Sequence, residues 1–336
     1  MNPLRLLGIL ALVVALPSLP ACQQGSTKTR VAFVSNNPES FWTIAEAGTK
    51  KAAEEENVEV LFRKPAQGDA ALQKEIIDTV LGQGVKAIAV SVIAPKDQRA
   101  YLDEIAAKVP LITQDNDAPD SKRLCYIGTD NYEAGKAAGR LVKEALPEGG
   151  TVVIFVGDLV PLNAQQRRQG VLDELAGTRD AKADKLGKYR VYRTYTDQPE
   201  GPQKAKENAV DALTALQNED KVCLVGLWAY NPPAILSAVK DKGKVGKVKI
   251  VGFDEDPATL QGIADGAVYG TIVQQPFLFG YESVKLMAAL ARGNRSQLPA
   301  GGVRHVPHMV ITKDGGKGRR PVAEFRDELE KLLGKK

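Results

Sequence analysis

The segment 249–276, KIVGFDEDPATLQGIADGAVYGTIVQQP, admits few folds. Its first five residues are β-formers, broken at once by Asp254, Glu255, Asp256 and Pro257, whose local hydrogen bonding and fixed φ favour a turn that opens a helix. Leu260 and Ile263 space one apolar face of that helix, Gly266 offers its stop, and 268–273 returns as a strand ending in Gln274, Gln275 and Pro276. In open α/β sheets, ligands lie beyond the carboxyl ends of the strands, which is where such a unit presents the Asp254 carboxylate and the Gln274 amide. Capping the following helix is the other role open to Asp254.

The same alternation runs along the rest of the chain. Strands are expected at 31–35, 58–62, 87–92, 110–113 and 125–128, with helices from 41, at 70–82 and at 99–108. After a helix at 132–146 the pattern restarts, with strands at 151–156, 189–194 and 222–227 and helices at 165–175, 203–216 and 234–242. This is an α/β chain of two Rossmann-like doubly wound parallel-sheet lobes. Thr129, Asp130 and Asn131 form one crossing between them, and the region after Gln274 another, so a ligand cleft lies between the lobes. The polar run 175–188 reads as an inserted loop, while Val322, Phe325, Leu329 and Leu332 mark a terminal amphipathic helix packed on its own lobe.

The first 22 residues differ in kind. Arg5 precedes an apolar run at 6–16, which is too short to span a bilayer at roughly 20 residues and has the order of a secretory signal. Leu19-Pro20-Ala21-Cys22 has the pattern of a lipobox, which makes Cys22 the acylated first mature residue of an exported protein, and residues 23–29 a tether. Cys125 and Cys223 sit in apolar runs as core residues, with a disulfide allowed but not implied. A net charge of +4 without a basic stripe argues against nucleic acid. The KGRR cluster at 317–320 lies among glycines and reads as a solvated connector.

No phosphate loop, GxSxG elbow, GxGxxG fingerprint or CxxC pair is present. His305 and His308 fall in RHVPHMV, read as one strand that points them to opposite faces, so neither a metal nor another cofactor is expected. At strand ends stand Asn37, Asp115, Asn163, Asp254 and Gln274, with Phe41, Trp42, Trp228 and Tyr230 close by. Sugars need this mixture, because each hydroxyl donates and accepts, a carboxylate can accept from two neighbouring hydroxyls, and ring C–H faces pack on aromatic planes. Such a site binds rather than transforms, so no catalytic residue is assigned. Each aromatic also has a reading as core.

The segments VAFVSNNPESFW, VPLITQDND, YIGTDNYEAGKAAG, QRRQG, IVGFDEDP and GTIVQQP together resemble the ribose and galactose type of periplasmic sugar-binding protein, the type I solute-binding family of ABC importers. The resemblance implies that Asn37, Phe41, Trp42, Asp115, Asp254 and Gln274 line a sugar site. Asn116 and Gln165 are also expected to contact ligand, at positions where ribose binders have arginines, and Tyr230 stands where they have asparagine. Arg167 matches a family arginine expected to be structural, and Glu39 and Ser40 resemble a local insertion.

Family topology implies an amino-terminal lobe of residues 30–129 plus 275–303, a carboxy-terminal lobe of 130–274 plus 304–336, and three crossing segments whose hinge closes on ligand. The implied partners are a sugar, the membrane permease subunits of an ABC importer, a membrane through the lipid anchor, and a chemoreceptor or sensor as a further recipient. A nucleoside, a polyol or a furanosyl signal is the alternative ligand. A transcriptional regulator would need a helix-turn-helix where the export signal stands, and a carbohydrate-active enzyme would need paired catalytic carboxylates.

Overall fold

The computed structural model describes residues 28–184 and 186–334. The expected export signal, Cys22 and residues 23–27 of the expected tether lie outside the described residues.

The first lobe alternates β1 (Thr29–Val34), α1 (Phe41–Glu56), β2 (Val58–Arg63), α2 (Ala70–Gly82), β3 (Ile88–Val90), α3 (Pro95–Lys108), β4 (Leu111–Gln114) and β5 (Cys125–Gly128). Its parallel strands lie in the order β2-β1-β3-β4-β5. The chain crosses into α4 (Asn131–Ala145) and repeats the pattern with β6 (Gly150–Val156), α5 (Leu162–Ala176), β7 (Tyr189–Thr196), α6 (Pro202–Ala215), β8 (Val222–Gly226), α7 (Asn231–Asp241), β9 (Lys249–Phe253), α8 (Pro257–Ala264) and β10 (Gly270–Val273). The second sheet runs β7-β6-β8-β9-β10, the same order. Every residue of β4, β5, β8 and β10 is buried, as expected of parallel strands covered by helices on both faces.

Local signals set the element ends. Asp69, Asp130 and Asp256 each accept backbone N–H groups at the start of α2, α4 and α8. Because Asp256 caps α8, Asp254 is not needed for that role.

After β10 the chain returns to the first lobe as α9 (Pro276–Ala291), an element the sequence reading left unassigned. A Cβ on Gly280 would lie 2.1 Å from the Ala45 carbonyl oxygen, so α9 and α1 approach closely only because that position is bare.

Three expectations change. RHVPHMV is two strands, β11 (Val303–His305) parallel to β5 and β12 (Met309–Thr312) antiparallel to β10, so 306–308 is the third crossing. The amino-terminal lobe thus runs through His305, because the chain must turn at Pro307 to change sheets. The KGRR segment belongs to a hairpin of β13 (Asp314–Gly316) and β14 (Arg319–Pro321), whose arginines pair with Glu144 and with Glu328 of α10 (Val322–Leu332). It is a second-lobe edge, not a solvated connector. The polar loop after α5 is tied down by Asp173, whose carboxylate accepts from the N–H groups of Asp180 and Ala181 and from the Tyr132 hydroxyl.

Cys125 and Cys223 are buried free thiols in different sheets, so they do not pair. The terminal helix α10 packs against α8 and Val322 and Phe325 join the second lobe's core, as expected.

Candidate functional site

Two aspartates at equivalent places define the site. Asp115 follows β4 and Asp254 follows β9, both in the left-handed region at φ 59° and 65°. Each N–H bonds the next strand of its own sheet, Asp115 to the Ile127 carbonyl at 3.1 Å and Asp254 to the Ile272 carbonyl at 2.7 Å. The carbonyls are held by Tyr126 Oη, 2.9 Å from Asp115, and Thr271 Oγ1, 2.9 Å from Asp254. Left-handed backbone, which Asp tolerates better than most residues, turns each strand end sharply. Both carboxylates line one cleft between the lobes.

The cleft is lined by Asn36, Asn37, Glu39, Phe41, Trp42 and Asp115 from the first lobe and by Asn163, Arg167, Trp228, Ala229, Tyr230, Asp254 and Gln274 from the second.

On the first-lobe wall, Asn37 Oδ1 accepts from the Glu39 N–H at 3.0 Å and from Trp42 Nε1 at 2.8 Å, which folds the 36–40 turn. Trp42 also meets Phe33 and Phe41 edge-on, at 6.1 and 5.1 Å between ring centres, and only 1% of it is exposed. It is cleft wall and core at once. Asp115 accepts from Ser91 Oγ at 2.8 Å.

On the second-lobe wall, Arg167 donates through Nε to Asn131 Oδ1 at 2.8 Å and through Nη1 to the Leu227 carbonyl at 2.9 Å, and its guanidinium lies 4.4 Å over the Phe253 ring. Gln274 Nε2 donates to Asp254 Oδ1 at 3.0 Å. Trp228 is seated on Gly157, where a Cβ would fall 2.0 Å from the indole Cζ3. Tyr230 stands at right angles to Trp228, accepts from Gln198 Nε2 at 2.8 Å and donates its hydroxyl to Asp197.

Burial dominates the electrostatics. It pushes the Asp115 carboxyl up to about 6; Arg167 and the Ser91 hydroxyl pull the other way, and Asp254 adds to the rise. Asp254 is also raised by burial, tempered by Arg167 and Gln274. Burial pushes Asp197 up to about 7 against its bonds from Tyr230 and Asn231. At the cleft rim, Glu39 is raised by burial and by the facing Asp256. One guanidinium therefore faces two carboxyls from opposite lobes.

Of the expected ligand residues, Asn37, Phe41, Trp42, Asp115, Asn163, Trp228, Tyr230, Asp254 and Gln274 come together here. Two do not. Gln165 is exposed on the other side of α5, with Nε2 on the Val160 carbonyl, because two residues along a helix is about 200° of rotation from Asn163. Asn116 is fully buried, donating to the Val92 carbonyl and accepting from the Asn163 N–H, so it joins the two lobes instead of lining the cleft. Arg167, expected to be structural, lines the cleft four residues after Asn163 on the same helix face; that spacing was the signal for it. Asn36, Glu39 and Ala229 were missed.

Thr129, Asp130 and Asn131 make the first crossing, where Asn131 donates to the Thr129 carbonyl at 3.1 Å and to Tyr126 Oη at 3.3 Å. His305 ends β11 and His308 lies within the third crossing, and no group of three metal-ligating side chains occurs among the described residues.

A profile of the periplasmic binding protein domain matches residues 31–295. The chain belongs to the periplasmic binding protein family. Among its relatives, a ribose import binding protein of Bacillus subtilis is 25% identical over 269 residues, 78% of this chain and 80% of its own. A D-ribose/D-allose-binding protein of Pseudomonas aeruginosa is 27% identical over 306 residues, covering 85% of this chain and 89% of its own. An ABC transporter solute-binding protein from Burkholderia graminis, solved with D-arabinose, superposes with a TM-score of 0.78 at 26% identity, over 86% of this binding protein and 96% of that chain. A glucose-galactose binding protein from Geobacillus stearothermophilus does so at 0.76 and 27%, over 85% and 98%.

Proposed function

We propose that this binding protein captures a sugar between its lobes and delivers it to the membrane subunits of an ABC importer. One observation carries the reading. Asn36 Oδ1, Asn163 Oδ1, Arg167 Nη2, Trp228 Nε1 and Gln274 Oε1 are buried without a protein partner, and all five residues line the same cleft. An unpaired buried polar group costs about 1–3 kcal/mol, so a wall carrying five is built for a ligand that both donates and accepts.

A polyhydroxylated ring supplies this. Its hydroxyls donate to Asp115 and Asp254 and to the amide oxygens, and accept from Arg167 and the Trp228 indole, while Phe41 and Trp228 take its C–H faces. The relatives named for ribose, allose, arabinose, glucose and galactose support an aldose. In this reading, as in the binding-protein family, the bound sugar is held and released unchanged. Acylation of Cys22 would hold the protein at the membrane face of the exported compartment, within reach of the permease.

Thermal unfolding of residues 26–336 against pentoses, hexoses, polyols and nucleosides tests this. Binding to the folded state raises the midpoint, and a shift of several degrees with an aldose is expected. A shift with nucleosides or polyols alone, or with nothing, would overturn the sugar assignment.

A further inference from the structure

The helix α5 begins without a cap of its own. Its N-cap residue is Pro161, which makes no side-chain hydrogen bond to the first turn. The second helical residue, Asn163, instead donates its backbone N–H at 3.0 Å to Oδ1 of Asn116, which follows β4 in the opposite lobe. An N-cap side chain ordinarily accepts from this position. Asn116 is fully buried, and its Nδ2 is committed to the Val92 carbonyl, which fixes the amide so that Oδ1 is the atom facing α5.

We infer that Asn116 is a closure residue: it caps α5 across the cleft, so the helix is capped when the lobes are shut and loses that bond when they part. The inference rests on the sugar-capture reading above, with the lobes closing on the ligand. It gives Asn116 a role that touches no ligand, although the residue directly follows Asp115. Opening the cleft exposes an uncapped helix terminus, and bringing the lobes together satisfies it. Binding affinity then contains a closure contribution that is the same for every ligand held in the cleft, because apparent affinity scales with the population of the closed form.

The test is a double-mutant cycle. Pro161→Ser gives α5 a cap within its own lobe, which makes the bond from Asn116 redundant. Dissociation constants are measured for wild type, Asn116→Ala, Pro161→Ser and the double variant with each panel sugar that binds. Asn116→Ala is expected to weaken every sugar by one common factor of about fivefold, through faster dissociation, in the wild-type background. In the Pro161→Ser background the same change should cost less than about twofold. Equal losses in both backgrounds, or a factor that varies from sugar to sugar, would overturn the inference, the second because it marks a direct ligand contact. If no panel member binds wild type, the sugar reading fails while the cap is still decided by small-angle X-ray scattering. Ligand-free Asn116→Ala should then be more expanded than wild type, and an unchanged radius of gyration would contradict the cap.

Discussion

The two cleft aspartates hold their positions at a cost. Each sits in left-handed backbone and each is buried, with burial raising its carboxyl pKa. For Asp115 the folded value of about 6 lies above the ordinary 3.8, so the native state binds the proton more tightly than the unfolded chain. The stability it contributes is present in full below about pH 3.8 and is lost as pH rises through about 6. Asp115→Asn removes that titration. The ligand-free variant should be more stable than wild type near pH 7.5, by up to about 3 kcal/mol, and melt correspondingly higher, with the difference shrinking toward pH 4. Melting midpoints across that range check it, and a difference independent of pH would contradict it. Both aspartates were legible because each ends a β-run in a turn-forming cluster. Arg167, expected to be structural, does tie Asn131 and the Leu227 carbonyl, and its place on the cleft wall follows from helix geometry, which puts residues 163 and 167 on one face and 165 on the other.

At the scale of elements, what positions the ring-binding wall is a close approach of loop to strand. Trp228 leaves β8 and lies on Gly157 at the end of β6, and Asn231 Oδ1 accepts the Trp228 N–H at 3.0 Å to fix the turn. Gly157→Ala must displace the indole. Ligand affinity should fall at least about tenfold while secondary structure is retained, measured by calorimetry beside far-ultraviolet circular dichroism. Wild-type affinity in that variant would show that the indole does not touch ligand. Trp42 differs, since its indole N–H is spent on Asn37 and its rings pack in the first core. Trp42→Ala should cost about 3–5 kcal/mol of stability, read as a lower denaturant midpoint, and an unchanged midpoint would remove it from the core. The sequence could not separate these two tryptophans, because each lies just past a strand and reads equally as ligand contact or as core, and only tertiary packing tells them apart. The terminal hairpin was hidden for a related reason: Arg319 and Arg320 read as solvated until Glu144 and Glu328 were brought to them from other elements.

At the scale of the molecule, two sheets whose five parallel strands share one order are joined by three crossings. The alternation of strand and helix, and its restart at 151, made this architecture readable, since the period of apolar residues sets element type and parallel strands need covering helices. The third crossing was not readable: RHVPHMV has one continuous β-pattern, and its division between two sheets depends on which edge strand each half meets, β5 or β10. The central claim is that ligand lies between Asp115 and Asp254, one from each lobe. Titration calorimetry of residues 26–336 and of Asp254→Ala, with the sugar giving the largest thermal shift, tests it most directly. One ligand should bind per chain, and Asp254→Ala should weaken binding at least about tenfold, or 1.4 kcal/mol, by removing a buried charged acceptor. Unchanged affinity in a folded Asp254→Ala protein would contradict the account.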